Sequence, residues 1–382
     1  MYPGWPGDMG TLVRLPGRAQ PVAIPDPPWA AGYPPPASRS VFAAAHVAAF
    51  PDGSIDWEAT LGFREYLWAH GFAVAEAMDT AQRGMGLPWP AARELTRRSA
   101  GLAARLGTVI ASGAGTDQLP PGRHPLPEIL DAYQEQLLAV QETGAQVILM
   151  ASRALAASAR SPRDYLDVYG HVLGRAERPV ILHWLGEDFD PALRGYWGAA
   201  DFATATDTVI ELIERADGRV GGIKMSLLDA SAEVAVRRRL PAGVRLYTGD
   251  DFHYAELIKG NAEGHSDALL GAFAAITAPA AAALHALDAG DLAGYDAAMG
   301  PTTELSRTIF EPPTSSYKVG VAFLAWLNGL QPHFAMLDGL QARRPAAHLV
   351  RVFELAARAG ALRSPALAAE RMTAYLATAG RP

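Results

Sequence analysis

Two stretches decide the fold: Pro179-Val180-Ile181-Leu182-His183-Trp184 and Val220-Gly221-Gly222-Ile223-Lys224-Met225. Each is apolar almost throughout, with one ionisable residue near its end and no alternation of polar and apolar positions. Strands of that kind are buried on both faces, as in a parallel sheet covered by helices. Residues 205–216 between them repeat apolar positions at helical spacing, so strand, helix and strand make one crossover unit.

The pattern continues in both directions. Apolar runs at 41–47, 72–78, 108–112, 146–150, 244–248 and 264–269 alternate with helical stretches at 57–70, 89–106, 126–143, 162–175 and 229–239. Eight such units predict an α/β fold, a (β/α)8 TIM barrel over residues 41–276. A doubly wound open sheet is the alternative, but no glycine-rich phosphate loop follows the first run. Residues 1–40 hold 10 of the 29 prolines and predict a Pro-rich N-terminal arm. It is expected to lie extended over the barrel or a neighbouring subunit, or to form a disordered tail. Residues 277–382 predict a C-terminal helical appendage, with helices at 277–289, 292–299, 302–308, 317–329, 346–359 and 365–379 and a break at Gly300-Pro301.

Composition narrows the function. The 382 residues are 49% hydrophobic and 19% charged, which excludes a disordered chain. The absence of cysteine removes disulfides, thiolate metal sites and cysteine nucleophiles together. A net charge of −7 argues against nucleic-acid and anionic-membrane partners. With no leader pattern, a cytoplasmic protein is expected. The arm and the appendage point to a homo-oligomer.

Among 33 basic residues only Lys224, Lys259 and Lys318 are lysines. Arginine replaces lysine readily where only charge is needed, but not where an amine must attack a carbonyl. Barrel active sites lie at the C-terminal strand ends. There stand His46 after strand one, Glu76, Asp79 and Thr80 after strand two, Ser152 and Arg153 after strand four, and His183 on strand five. Lys224 follows on strand six, Asp250, Asp251 and His253 on strand seven, and His265 and Ser266 on strand eight. Lys224 would enter an apolar mouth, where burial lowers an amine's pKa and frees it as a nucleophile; alternatively it pairs with Asp250, Asp251 or Glu76. His183 is either a proton shuttle beside it or a core histidine bonded to backbone. His46, Glu76, Asp250 and His253 read as structural or substrate-binding. Alternatively, with His183, they form a zinc or manganese site. Lys259 and Lys318 read as structural, Lys318 on an otherwise apolar helix.

From Val41 to about Leu340 the chain resembles the dihydrodipicolinate synthase and N-acetylneuraminate lyase superfamily of class I, Schiff-base aldolases, as a dihydrodipicolinate-synthase-like branch of its own. The resemblance rests on Phe50-Pro51-Asp52-Gly53-Ser54-Ile55-Asp56 after strand one, His70-Gly71, Gly222-Ile223-Lys224, Thr248-Gly249-Asp250-Asp251 and Gly260-Asn261-Ala262-Glu263-Gly264. It implies an imine on Lys224 and no cofactor. Departures are equally specific. Met78-Asp79-Thr80-Ala81-Gln82 replaces the Gly-Thr-Thr-Gly-Glu carboxylate grip. His183 replaces the strand-five tyrosine, and Ala151-Ser152-Arg153 replaces the tyrosine pair. Leu185-Gly186-Glu187-Asp188 lacks the arginine that follows.

The expected function is therefore a carbon–carbon or carbon–oxygen lyase acting on a small-molecule carbonyl compound. Lys224 forms the imine, His183 moves protons, and Asp79 with Thr80 orients a substrate such as a keto-sugar. A divalent-metal-dependent sugar isomerase or aldolase, and a non-catalytic ligand-binding barrel, are the alternatives.

Overall fold

The computed structural model describes residues 10–379; residues 1–9 of the Pro-rich arm and 380–382 of the appendage lie outside the described residues. Eight parallel strands close into a barrel: β1 (Val41–Ala44), β2 (Ala73–Glu76), β3 (Ile110–Ala114), β4 (Gln146–Leu149), β5 (Val180–Leu185), β6 (Val220–Ser226), β7 (Arg245–Thr248) and β8 (Asp267–Leu270). The ring closes where Leu269 of β8 stands opposite Phe42 of β1. Alternate residues explain why the strands carry no polar face. Phe42, Ala75, Ala111, Ile148, Ile181, Tyr247 and Leu269 fill the lumen. Ala43, Val74, Ile110, Val147, Leu182, Ile223 and Leu270 belong to the core outside the ring, beneath the helices.

The outer helices are α1 (Trp57–Ala69), α2 (Trp89–Leu106), α3 (Leu126–Gln141), α4 (Pro162–Leu173), α5 (Phe202–Arg215), α6 (Ala230–Arg237) and the short α7 (Tyr254–Lys259). Their ends follow local chemistry: Asp56 caps α1 by accepting from Ala59 N at 3.0 Å, and α2 stops at Gly107, whose φ is +67°. Beyond the barrel come α8 (Thr277–Asp288), α9 (Leu292–Ile309), α10 (Tyr317–Leu327), α11 (Ala346–Arg358) and α12 (Pro365–Ala379). The expected break at Gly300-Pro301 is corrected, because α9 runs through it. Burial of Tyr295, Ala298, Met299, Thr302 and Leu305 outweighs the proline's missing donor, and the Thr302 hydroxyl donates to Met299 O at 2.6 Å. Among the described residues no helix is long and apolar enough to cross a membrane.

The described part of the arm lies against its own chain. Strands Thr11–Val13 and Val22–Ile24 pair antiparallel and pack on α11 and α12. Arg18 pairs with Glu354 on α11, and Trp29 Nε1 donates to Gly360 O at 2.8 Å. Tyr33 N donates to Ala69 O at 3.0 Å, which carries the arm across the N-terminal face of the barrel.

One buried ion pair fixes the strand ends that matter below. Arg64 of α1 and Glu76 at the end of β2 are both fully buried, joined by Nε–Oε2 and Nη2–Oε1 bonds of 2.8 Å each. Arg64 Nη1 also donates to His46 O and Thr60 O, and Glu76 Oε1 accepts from Ala77 N at 2.8 Å. Glu76→Gln leaves a buried guanidinium without its counter-charge and should cost about 3–5 kcal/mol. Urea unfolding of the variant checks this; an unchanged midpoint would refute the assignment.

Candidate active site

Lys224 points into the lumen at the C-terminal end of β6. In register it stands level with His183 of β5 and Tyr247 of β7, and the Tyr247 ring turns away from it toward Gly222 and Ser40. Its position depends on Gly249. A Cβ there would lie 2.8 Å from Lys224 Cε and 2.2 Å from Ser226 Oγ. At Gly222 the Tyr247 ring occupies the space a Cβ would need, 2.6 Å away.

Lys224 is 8% exposed, and among the described residues nothing forms a hydrogen bond or ion pair with its Nζ. Burial lowers its pKa, while the carboxylates of Asp79 and, less strongly, Asp251 pull it back up. Asp251 is the nearly buried partner on the strand-seven side. Burial pushes its carboxyl up to about 8 against the pull of Lys224, and Oδ1 accepts from Ala272 N at 3.0 Å. His183 is buried, with Nε2 3.4 Å from Ser226 Oγ and Nδ1 without a hydrogen-bond partner. Burial first, and the Lys224 charge second, hold it well below its usual pKa, so the ring is neutral near pH 7.

Asp79 and Thr80 reach the mouth through a strained turn. Ala77 adopts φ +50°, unusual for a residue with a Cβ, and is held there by Glu76 Oε1 on its N–H and by Arg83 Nη1 on its carbonyl at 3.1 Å. Asp79 and Thr80 then occupy one 3₁₀ turn. Thr80 Oγ1 is 2.8 Å from the Tyr317 hydroxyl, and Asp79 Oδ2 is buried with no partner. Beside this layer a cavity of about 680 Å³ opens, with Asp79, Arg83, Met150, Arg153, His183 and Ser315 in its wall. Arg83 is bound to Asp117 and Gln136, and Arg153 to Asp190, so both guanidinium groups are matched.

Four expected site residues stand apart from the lysine. Glu76 faces outward onto Arg64, a correction that follows from strand alternation: Ala75 takes the lumen side. His46 packs edge-on against Phe63 with Nε2 2.7 Å from Gln331 Oε1, and burial lowers its pKa to about 4. Asp250 folds its own turn, accepting from Phe252 N, His253 N and His253 Nδ1 at 2.8, 3.0 and 2.8 Å. Asp251, not Asp250, therefore faces Lys224. The alternative metal set of His46, Glu76, His183, Asp250 and His253 is not gathered at one point, and no group of three or more such side chains is placed to hold a metal among the described residues. Ser152 caps the Arg153–Ser158 helix at Leu155 N and binds Thr116, and its N–H donates to Tyr196.

Sequence reasoning did not single out Tyr317, whose hydroxyl meets Thr80, and it read Lys318 as structural. Both stand on α10, about 90 residues beyond Lys224 in the chain. A lysine on an apolar helix of a chain with three lysines was the available signal.

No curated protein matches this chain. Among solved structures, it is similar to dihydrodipicolinate synthase from Oceanobacillus iheyensis, with 16% identity and a TM-score of 0.64 over 83% of this chain and 95% of that one. The enzyme from Thermotoga maritima gives 13% and 0.64 over 85% and 100%. A chloride-inhibited enzyme from Acinetobacter baumannii, complexed with pyruvate, gives 16% and 0.63 over 85% and 99%. At such identities the likeness is one of fold. Residues 15–381 match the family described as "Protein of unknown function (DUF993)", and the chain belongs to that family.

Proposed function

We propose that the protein is a Schiff-base lyase of the dihydrodipicolinate synthase superfamily, cleaving or forming a carbon–carbon bond, or eliminating water, on a small carbonyl compound. The observation that carries this reading is the unpartnered amine of Lys224, nearly buried at the catalytic end of the barrel between two carboxyl groups and a neutral imidazole. Shared fold with dihydrodipicolinate synthases supports it.

The chemistry follows from the charges. With its proton passed to a neighbouring base, the Lys224 amine adds to the carbonyl carbon and the oxygen leaves as water, giving an iminium. The iminium nitrogen accepts the electron pair released when the adjacent carbon–carbon bond breaks. His183, held neutral, can take the proton from the substrate hydroxyl and return it to the resulting enamine carbon. Asp251 at about 8 can hold a proton or give it up near neutrality, which suits transfer to and from departing water. The Thr80–Tyr317 pair places two hydroxyls beside Asp79.

Lys224→Arg preserves charge but not the nucleophile. Borohydride reduction of the wild type with pyruvate, dihydroxyacetone or D-xylulose should leave an adduct on the Lys224 peptide for at least one of them, and the variant should give none. A wild type without adduct across that panel would count against imine chemistry.

The trapping rate should rise with pH as the amine deprotonates, with its midpoint below the ordinary lysine value, because burial lowers the pKa. Asp251 favours the ammonium form. Asp251→Asn should therefore move the rise to lower pH; a shift to higher pH would show that Asp251 acts otherwise. Gly249→Ala drives a methyl group into Lys224 Cε and should reduce trapping about 10²-fold through misplacement of the amine. Peptide mass spectrometry at equal fold content reads this, and retained trapping would refute the constraint.

A further inference from the structure

The helix α10 brings a second lysine to the mouth. Lys318 Nζ donates to Ser315 O at 3.1 Å, lies 3.5 Å from the Met85 sulfur, and sits 4.6 Å from the Tyr317 ring centre. The residue is 2% exposed, and no carboxylate comes within ion-pairing distance among the described residues. A carbonyl and a thioether are thin coordination for a buried ammonium. Burial lowers its pKa to about 8, with Asp79 the main influence in the other direction. Met85 and Ser315, the two groups it touches, line the same cavity as Asp79. Directly behind the wall formed by Met85 and Ser315 therefore stands an under-used donor, Lys318 Nζ, and on the same wall an acceptor with no partner, Asp79 Oδ2.

Charge decides what would satisfy both. Arg83 is matched by Asp117 and Arg153 by Asp190. Asp79 is the strongest opposing charge for both Lys224 and Lys318, and His183 is neutral. An added carboxylate or phosphate in this low-dielectric space would stand against Asp79. A hydroxyl is uncharged and both donates and accepts. Adjacent hydroxyls could accept a hydrogen bond from the lysine and donate one to the aspartate.

We propose that Lys318 and Asp79 form a hydroxyl clamp that selects an uncharged polyhydroxylated carbonyl compound as the substrate. Lys318 is a specificity-determining residue, not a structural one. The clamp deepens the Schiff-base reading and rests on it only in taking the ligand's reacting end to be a carbonyl.

D-arabinitol, a polyol without a carbonyl, tests the clamp apart from the imine. Calorimetric titration of the full chain with D-arabinitol and with pyruvate would compare wild type, Lys318→Met and Asp79→Asn, with circular dichroism confirming fold. Arabinitol should bind the wild type more tightly than pyruvate, and either variant should weaken it about tenfold or more. Absence of arabinitol binding to the wild type, tighter binding of pyruvate, or undiminished affinity in a folded variant would overturn the clamp. If Lys318→Met does not fold, Asp79→Asn alone decides. Borohydride trapping of the wild type with D-xylulose separates the two readings. An adduct on Lys224 with variant affinities unchanged sinks the clamp alone. Clamp-dependent arabinitol binding without an adduct supports the clamp and sinks only the imine.

Discussion

The geometry of the mouth depends on the buried Arg64–Glu76 pair. Two fully buried charges are tolerable only when their donors and acceptors are used, and here the guanidinium also binds the carbonyls of His46, just past β1, and of Thr60 in the first turn of α1. The carboxylate reaches one residue further and holds the N–H of Ala77 in its left-handed turn. That turn swings the chain out of the strand direction and delivers Asp79 and Thr80 to the site. A residue that reads as a ligand thus acts as the bracket from which other ligands hang.

Inside the mouth the governing quantity is charge balance in a poorly solvated space. Two lysines without an ion-paired carboxylate and two carboxyl groups lie close together, and each group's protonation is set by burial against its neighbours. Surface cations in this chain are almost all arginine, where only charge and reach matter. The lysines on β6 and α10 are both buried, and an amine in such a place can lose its proton where a guanidinium cannot.

The solved neighbours share the barrel at 13–16% identity. Barrels of this kind keep their chemistry in the loops after the strands, so a common frame permits different substrates. The residues after β2 and β4 show this. Asp79 stands where the resemblance leads one to expect a carboxylate grip. Ser152 spends its hydroxyl capping a helix and its N–H on Tyr196, itself linked to Tyr169 and Tyr133 beneath β4.

What the sequence determined by itself was the barrel and the position of Lys224 on it. Both are local: continuous apolar runs mark doubly buried strands, and side-chain alternation from Gly222 puts the lysine on the lumen face. The same alternation, applied to Ala75, would have turned Glu76 away from the site. Tertiary structure alone decided which carboxylate faces the amine, because Asp250 and Asp251 are adjacent in sequence and only the turn's hydrogen bonds separate their roles. It alone brought Tyr317 and Lys318 to the strand ends. Nothing in a helix's own period records which distant surface it will cover, since that is set by packing against elements far away in the chain.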